Sequence, residues 1–549
     1  RYTVPGYFAV DGDAANSSAS AGTIWRAHLS PDKPGKWIYR VDFKRGRHAA
    51  LDGGGEPVAP YDGKTGSFEI GRTDKSGRDF RAHGRLSYVN GHYLKFAGSG
   101  QVFIKVGTDS PETMLGYKDF DGTVGRKPTV PLKTWSPHLK DWRAGNPVWA
   151  GEKGKGLIGA LNYLAEKGAN AFSFLTYNAG GDGDNVWPFI SRDQKFNYDC
   201  SKLDQWEIVF NHADQLGLFL HFKLQEQEND DNRIGPKLEA GQVPTSLDGG
   251  DTGPERKLYL RELVARFGHH LALNWNLGEE NTQSTEQLNA MMAYLEEVDP
   301  YDHPIVVHTF IPAQDKIYTP LLGAKSKLHG TSLQNGWDAA HQRTLKWVRE
   351  SAAAGRPWVV CNDEQGPAWS GIPPDAGYAG YANKNSDGKT VDYTADDTRQ
   401  QTLWGTLLAG GAGVEYYFGY KLPENDLVAE DLRSRDRSWD YARHAIEFFS
   451  REKIPVEKMK NADELLGNVA HDNSLYCFAQ PGELYLAYLP KGGTASLDLS
   501  AAPGKYSVSW FNPRDGGALT KPITVDGGTA VKLTAPDASD WLAVVRLKR

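Results

Sequence analysis

Two short runs of this chain end in carboxylates. The largely apolar run Leu271 to Leu277 leads into Gly278, Glu279, Glu280 and Asn281, and Pro357 to Cys361 leads into Asn362, Asp363, Glu364, Gln365 and Gly366. A buried parallel strand delivers catalytic groups to the rim of a barrel in this way. Glu280 and Glu364 lie 84 residues apart (364 minus 280). Two carboxyl groups at two strand ends are the minimum equipment for breaking a glycosidic bond, one giving a proton to the leaving oxygen and one attacking or activating water.

Composition points to a neutral ligand. The net charge of -7 and pI near 6.1 leave no basic surplus for nucleic acid or an anionic membrane surface. The expected partner is a poly- or oligosaccharide, and the 16 Trp and 25 Tyr supply rings that can stack on sugar faces. Cys200, Cys361 and Cys477 have no disulfide or metal-site spacing, and neither a metal nor a cofactor is expected. No apolar run reaches the ~18 residues that span a membrane. Arg1 to Pro5 lack a signal-like core, so the chain reads as a mature or trimmed product of a secreted or periplasmic protein.

The expected fold class is α/β, a (β/α)₈ barrel flanked by N-terminal and C-terminal β-sandwiches, with units at 1–107, 108–455 and 456–549. Trp37–Phe43, Phe68–Ile70 and Leu86–Val89 alternate between turn residues, and Asn90-Gly91 predicts a tight hairpin turn. From Trp142 to Phe449 strands and helices alternate. Helices are expected at 155–164, 203–216, 256–267 and 441–449. Strands are expected near Val148 and at 171–176, 218–222, 271–277, 305–308, 328–333, around Trp358 and at 413–418, which makes the eight of a barrel. Short strands return at 475–479, 484–489, 506–511 and 541–545.

The stretch Trp275-Asn276-Leu277-Gly278-Glu279-Glu280-Asn281 resembles the strand-four motif Trp-x-x-x-Asn-Glu-Pro of clan A glycoside hydrolases, and Glu364-Gln365-Gly366 resembles their strand-seven Glu-aromatic-Gly. The barrel region is similar to the apiosidase-like hydrolases, and the C-terminal module resembles a collagenase's collagen-binding domain. The resemblance implies Glu280 as acid/base and Glu364 as nucleophile of a retaining reaction. Two positions depart from it: Glu279 stands where the clan has an Asn that bonds the sugar 2-hydroxyl, and Gln365 replaces the aromatic. A carboxylate at 279 would raise the pKa of Glu280. Asp363 competes with Glu364, but adjacent strand residues face opposite sides, so only one is expected to point into the barrel.

Around the acids, Tyr177, Asn178, Trp187, His221, Gln225, His308, Gln334, Trp337 and Tyr416, together with Glu279, are the candidate substrate-binding residues. The loop Asn178 to Asn185 has oxygen groups at alternating positions but lacks calcium-loop spacing, and reads rather as a substrate loop with Trp187, Pro188 and Phe189 as a sugar platform. Lys223 leaves room for an acidic or sulfated sugar. The rival to an enzyme is a non-catalytic carbohydrate-binding or adhesion protein on a degenerate barrel, and the acid pair favours the enzyme.

Overall fold

A computed structural model describes residues 1–233 and 242–548. Eight parallel strands close into a barrel: β1 (Lys105–Thr108), β2 (Ala171–Leu175), β3 (Phe219–Lys223), β4 (Leu273–Asn276), β5 (Ile305–Thr309), β6 (Gly330–Asn335), β7 (Val359–Gln365) and β8 (Gly413–Tyr416). Seven of them fall where the hydrophobic runs predict. The first does not lie near Val148, where Trp149 and Lys153 instead bridge a short turn. It is β1, which pairs with β8 through Lys105 and Gly413 and with β2 through Gly107 and Ala171. Glycine is needed at both seams. A Cβ on Gly107 would stand 2.1 Å from the Ala171 carbonyl oxygen, and one on Gly413 (φ 145°) 2.0 Å from that of Lys105.

The helices between strands carry ordinary start and stop signals. Cys200–Leu216, for example, opens on Asp199, whose side chain accepts the Lys202 N–H at 3.1 Å, and closes on Gly217 in the left-handed region (φ 68°). Leu203, Trp206, Val209, Phe210 and Ala213 recur at helical spacing and are buried against the barrel.

Antiparallel β-units flank the barrel on both sides. The N-terminal one is divided among four sheets of two or three strands rather than two packed sheets. Its meander Leu86–Tyr88, Leu94–Phe96 and Val102–Phe103 covers the N-terminal ends of the barrel strands. There Leu94 and Phe103 line a small cavity with Phe219, Val306 and Val359, and the Leu86 N–H donates to the Leu271 carbonyl at 2.7 Å. The hairpin predicted at Asn90-Gly91 forms, but with a five-residue loop: Tyr88 pairs with Leu94, and Asn90 alone of the two turn residues is left-handed (φ 56°). His92 and Tyr88 reach the Trp358 and Pro357 carbonyls, so docking on the barrel outweighs the tight turn.

The C-terminal unit packs a six-stranded sheet on a two-stranded one. Its strand Leu484–Leu489 is apolar throughout because both faces are buried. Tyr485, Ala487 and Leu489 enter the module's own core, while Leu484, Leu486 and Tyr488 join the barrel's. Arg399 of the barrel and Asp540 of the module form a buried bidentate pair at 3.0 and 2.7 Å.

Candidate active site

Glu280 and Glu364 meet at the C-terminal rim. One amide joins them: Gln334, at the end of β6, donates from Nε2 to Glu280 Oε1 at 2.8 Å and to Glu364 Oε1 at 2.7 Å. The Gln334 Oε1 accepts the Ile311 N–H at 3.1 Å, which fixes the amide's orientation and commits both amide protons to the two acids. The two carboxylate oxygens therefore lie no more than about 5.5 Å apart, the combined length of these bonds. Glu364 is buried, and Glu280 is partly open.

The backbone departs from regular strand geometry at both acids. Beyond β4, Glu280 is left-handed (φ 44°), a conformation that costs a non-glycine residue about 1–2 kcal/mol. It is held by the Asn281 N–H bonded to the His308 carbonyl at 2.9 Å and by Thr309 on the Asn281 carbonyl at 2.9 Å. Glu279 and Glu280 consequently both serve the site. On β7 the register slips, with Leu333 opposite Asn362 and Gln334 opposite Glu364, so Asp363 is an extra residue. This bulge turns both Asp363 and Glu364 into the barrel, against the expectation that only one could enter. They differ in depth: Glu364 reaches Gln334, whereas Asp363 pairs with Lys105 at 2.8 Å.

Beneath the rim the charges form two tiers. In the upper one Lys223 is fully buried, with Asp109 Oδ1 at 2.8 Å, Glu112 Oε1 at 3.5 Å and Glu279 in direct contact. His308 Nε2 stands 3.1 Å from both Glu279 Oε1 and Glu364 Oε2. In the lower tier Lys105 joins Asp363 to Glu415, and His221 Nδ1 lies 2.6 Å from Glu415. Asn276, whose Oδ1 accepts the His308 N–H, faces His221 Nε2 with its Nδ2 at 2.9 Å. That leaves His221 neutral, with Nδ1 as donor, and burial together with Lys105 pushes its pKa well below the usual value.

These tiers set the acids apart. Burial raises the Glu280 pKa and Glu279 adds to the effect, while the Gln334 amide opposes it. Burial, then Glu279 and Glu280, push Glu364 well above the ordinary range. Glu279 goes the other way. His308 and Lys223 overcome its burial and hold it down to about 2, so the carboxylate beside the acid pair is ionised.

The structure divides the other candidates. His308, Gln334 and Glu279 belong to the site. His221 lies one tier below, out of reach of a ligand. Gln225 is a strut, donating to the Leu277 carbonyl and Gln283 and accepting from Arg256. Tyr177, Asn178 and Trp187 are buried in the loop after β2. There the Tyr177 hydroxyl donates to the Thr245 carbonyl, and Asn178 Oδ1 accepts the Asn185 and Val186 N–H groups. Phe189 is equally buried, so the expected sugar platform does not exist; these rings fill the loop's own core. Asp184 of that loop is paired with Arg126 and Arg192. Tyr416 packs outward on Trp439 at 5.5 Å. Its neighbour Tyr417 faces the site, since a Cβ on Gly366 would lie 3.4 Å from both Glu364 Oε1 and the Tyr417 ring. Trp337 is half-buried and stacked on Tyr393 with centroids 4.8 Å apart. Lys223, saturated by carboxylates, is closed to an acidic sugar.

Sequence reasoning missed Asp109, Glu112, Lys105 and Glu415. The signal was present for the first two: Val102 to Thr108 is an apolar-rich run ending in Asp109 and Glu112, the pattern used for strands four and seven. It also missed Trp369, 66% exposed on the loop after β7; the Tyr420 N–H, next to Tyr417, bonds this loop at Ala368.

The fold is a (β/α)₈ barrel with flanking β-units, and it is similar to that of solved proteins described as glycoside hydrolases. A glycoside hydrolase family 5 protein from Bacteroides vulgatus superposes with a TM-score of 0.58 at 15% identity, over 84% of this chain and 93% of that one. A second Bacteroides vulgatus protein, described as a "putative glycoside hydrolase", gives 0.60 at 13% identity over 95% and 90%. Residues 462–546 match the family described as "Putative collagen-binding domain of a collagenase". Comparison with curated protein sequences finds no match.

Proposed function

We propose that this chain is a retaining glycoside hydrolase acting on a poly- or oligosaccharide, with Glu364 as nucleophile and Glu280 as acid/base. The observation that carries this reading is the Gln334 bridge. Carboxyl groups about 5–5.5 Å apart leave no room for a water between acid and sugar, so the second carboxyl group must itself attack; inverting enzymes keep them about 6.5–9.5 Å apart. Glu364 attacks the anomeric carbon as Glu280 protonates the leaving oxygen. Glu280, now a carboxylate, then takes a proton from water as that water displaces Glu364 from the glycosyl ester. Two carboxyl groups this close do not both ionise, so the pair retains one proton near neutral pH, and we place that proton on Glu280 and the charge on Glu364. Ionised Glu279, pinned by Lys223 and His308, stands near the reacting sugar in place of the clan's amide.

Half-buried Trp337, backed by the buried ring of Tyr393, and exposed Trp369 are the rings we assign to sugar stacking, and the saturation of Lys223 favours a sugar without acidic groups at the reacting position. A polymeric substrate places the enzyme outside the cytoplasm. The C-terminal module, by its buried contacts, buttresses the barrel; what the matched family's name states about collagen is not carried into this reading. The test is a screen of plant and marine-algal polysaccharides and aryl glycosides, with chromatography of products and NMR of the first anomer released. Retention of configuration is expected. An inverted first product, or no turnover on the whole panel, would overturn the proposal.

A further inference from the structure

Three carboxyl groups beside the rim have no part in the proposed reaction. Asp182 stands in the loop after β2, and Glu226 and Glu228 stand in the loop after β3. Glu226 is only 3% exposed. Its Oε2 accepts the Asp182 N–H at 3.0 Å, and Gly181 lets the β2 loop pack directly on that oxygen, from which a Cβ there would stand 1.3 Å. The Oε1 is buried with no hydrogen-bond partner among the described residues. Asp182 and Glu228 are half-buried. Burial, then Glu228, Asp182 and Glu279, push Glu226 well above the ordinary carboxyl range. Burial and Asp182 raise Glu228, and Lys127 opposes them from beyond ion-pair distance. After burial and Glu279, Glu228 also raises Glu280, so the trio adjoins both acids at the end of β4. Asp184 and Glu279 nearby are paired with arginines and with Lys223, whereas these three form no ion pair among the described residues. The Tyr420 hydroxyl donates to Asp182 Oδ2, and the Tyr420 N–H bonds the Ala368 carbonyl, next to exposed Trp369.

A buried carboxyl group with an open oxygen and acids for neighbours is costly unless a ligand brings donors and positive charge to it. We infer that Asp182, Glu226 and Glu228 form a subsite for a protonated amino group on a sugar beside the reacting one, which makes the substrate class an amine-bearing poly- or oligosaccharide. An ammonium group carries three N–H donors and no acceptor, and the trio offers acceptors alone. A neutral sugar hydroxyl fits less well, because its own lone pairs would face carboxylates. A calcium ion, which takes about six to eight oxygens, would have to share Glu226 Oε2 and Asp182 Oδ2 with the donors that already hold them. Trp369, beside the Tyr420 that anchors Asp182, supplies a ring for the same sugar. The inference rests on the reaction proposed for this rim and names the kind of sugar it takes.

The experiment is calorimetric titration of the full chain with hexamers of glucosamine and of galactosamine, each beside its N-acetylated form, at a pH where the amines are protonated. One amino hexamer is expected to bind at least about 10-fold tighter than its N-acetylated form, the effect of one charge-assisted contact. Glu226→Gln and Glu228→Gln should each erase about 10-fold of that affinity and leave binding of the N-acetylated form unchanged. Asp498→Asn, which changes an exposed acid of the C-terminal module, should alter neither. Melting temperatures report folding, and half-buried Glu228 carries the test if Glu226→Gln does not fold. Equal affinity for the amino and N-acetylated forms of both sugars would overturn the inference. So would equal losses in Asp498→Asn, which would mean a general attraction of charge, or a calcium-dependent rise in melting temperature that Glu226→Gln abolishes. An activated aryl glycoside leaves the subsite empty and reports the reaction by itself. Its turnover without any preference for amines refutes this inference alone, and its failure under intact amine binding refutes the proposed reaction alone.

Discussion

Replacing Gln334 by leucine removes the one group that touches both rim acids while keeping roughly its volume. Each lost bond is one from a neutral N–H to a carboxylate, at 2.8 Å for Glu280 and 2.7 Å for Glu364. Hydrogen bonds to charged groups contribute about 1.5–3 kcal/mol, and one pKa unit corresponds to about 1.4 kcal/mol. The low end applies because one amide serves both acids and Glu280 is partly open. The donor favours the ionised form, so its removal raises both pKa values, by about one unit each. Both limbs of the kcat/KM profile should therefore move to higher pH together, since they report the titration of the two acids as a pair and each acid loses a donor that favours its ionised form. The assay is kcat/KM against pH on an activated aryl glycoside, with the melting temperature as a control for the Ile311 N–H left without its acceptor. Gln334→Glu offers no such pair of N–H donors and should not restore the wild-type profile. A leucine variant that is folded and less active but keeps both limbs in place would refute the idea that Gln334 tunes the acids.

Glu279→Gln should shift both limbs the opposite way, to lower pH, because it removes the charge that raises Glu280 and Glu364; a profile overlaying the wild type in shape and height would reduce Glu279 to an ion-pair member. Glu364→Ala should lose about 10⁴-fold or more in turnover, with azide or formate restoring some activity and giving a product of inverted configuration, whereas the same rescue in Asp363→Ala would reverse the choice of nucleophile. Trp369→Ala should raise KM on oligosaccharides by roughly 3- to 10-fold with little change in kcat, the loss of one stacking contact; an unchanged KM would remove that ring from the substrate path. His270 bonds Asp214 at 2.8 Å and Glu207 at 3.2 Å and is pushed up to about 10, Asp214 and Glu207 overcoming its burial. Its folded pKa exceeds the usual 6.5, so its contribution is complete below pH 6.5 and is lost as pH rises through about 10. Melting temperatures between pH 7 and 10.5 should fall less steeply for His270→Gln than for the wild type.

Hydrophobic runs were sufficient to locate seven barrel strands, because a strand buried on both faces must be apolar along its length whatever packs on it. The rim acids were legible for a related reason: a carboxylate ending such a run has only the mouth of the barrel to occupy. The first strand escaped because it is short, begins with the buried cation Lys105 and includes Gly107, whose missing side chain is explained only by the close approach of Ala171. Residue type alone could not separate Tyr416 from Tyr417, or the buried Tyr177 and Trp187 from the open Trp369, since an aromatic ring fills a loop core as readily as it faces a sugar. Nor could it bring Asp363 and Glu364 both inward, which depends on a register slip against β6. The pairing of Lys223 with Asp109, Glu112 and Glu279 joins residues up to 170 positions apart (279 minus 109). Such charges find each other only when barrel closure brings the strand ends together and removes water from between them, which is why the identities of the acids could be read along the chain while their protonation and spacing were decided in three dimensions.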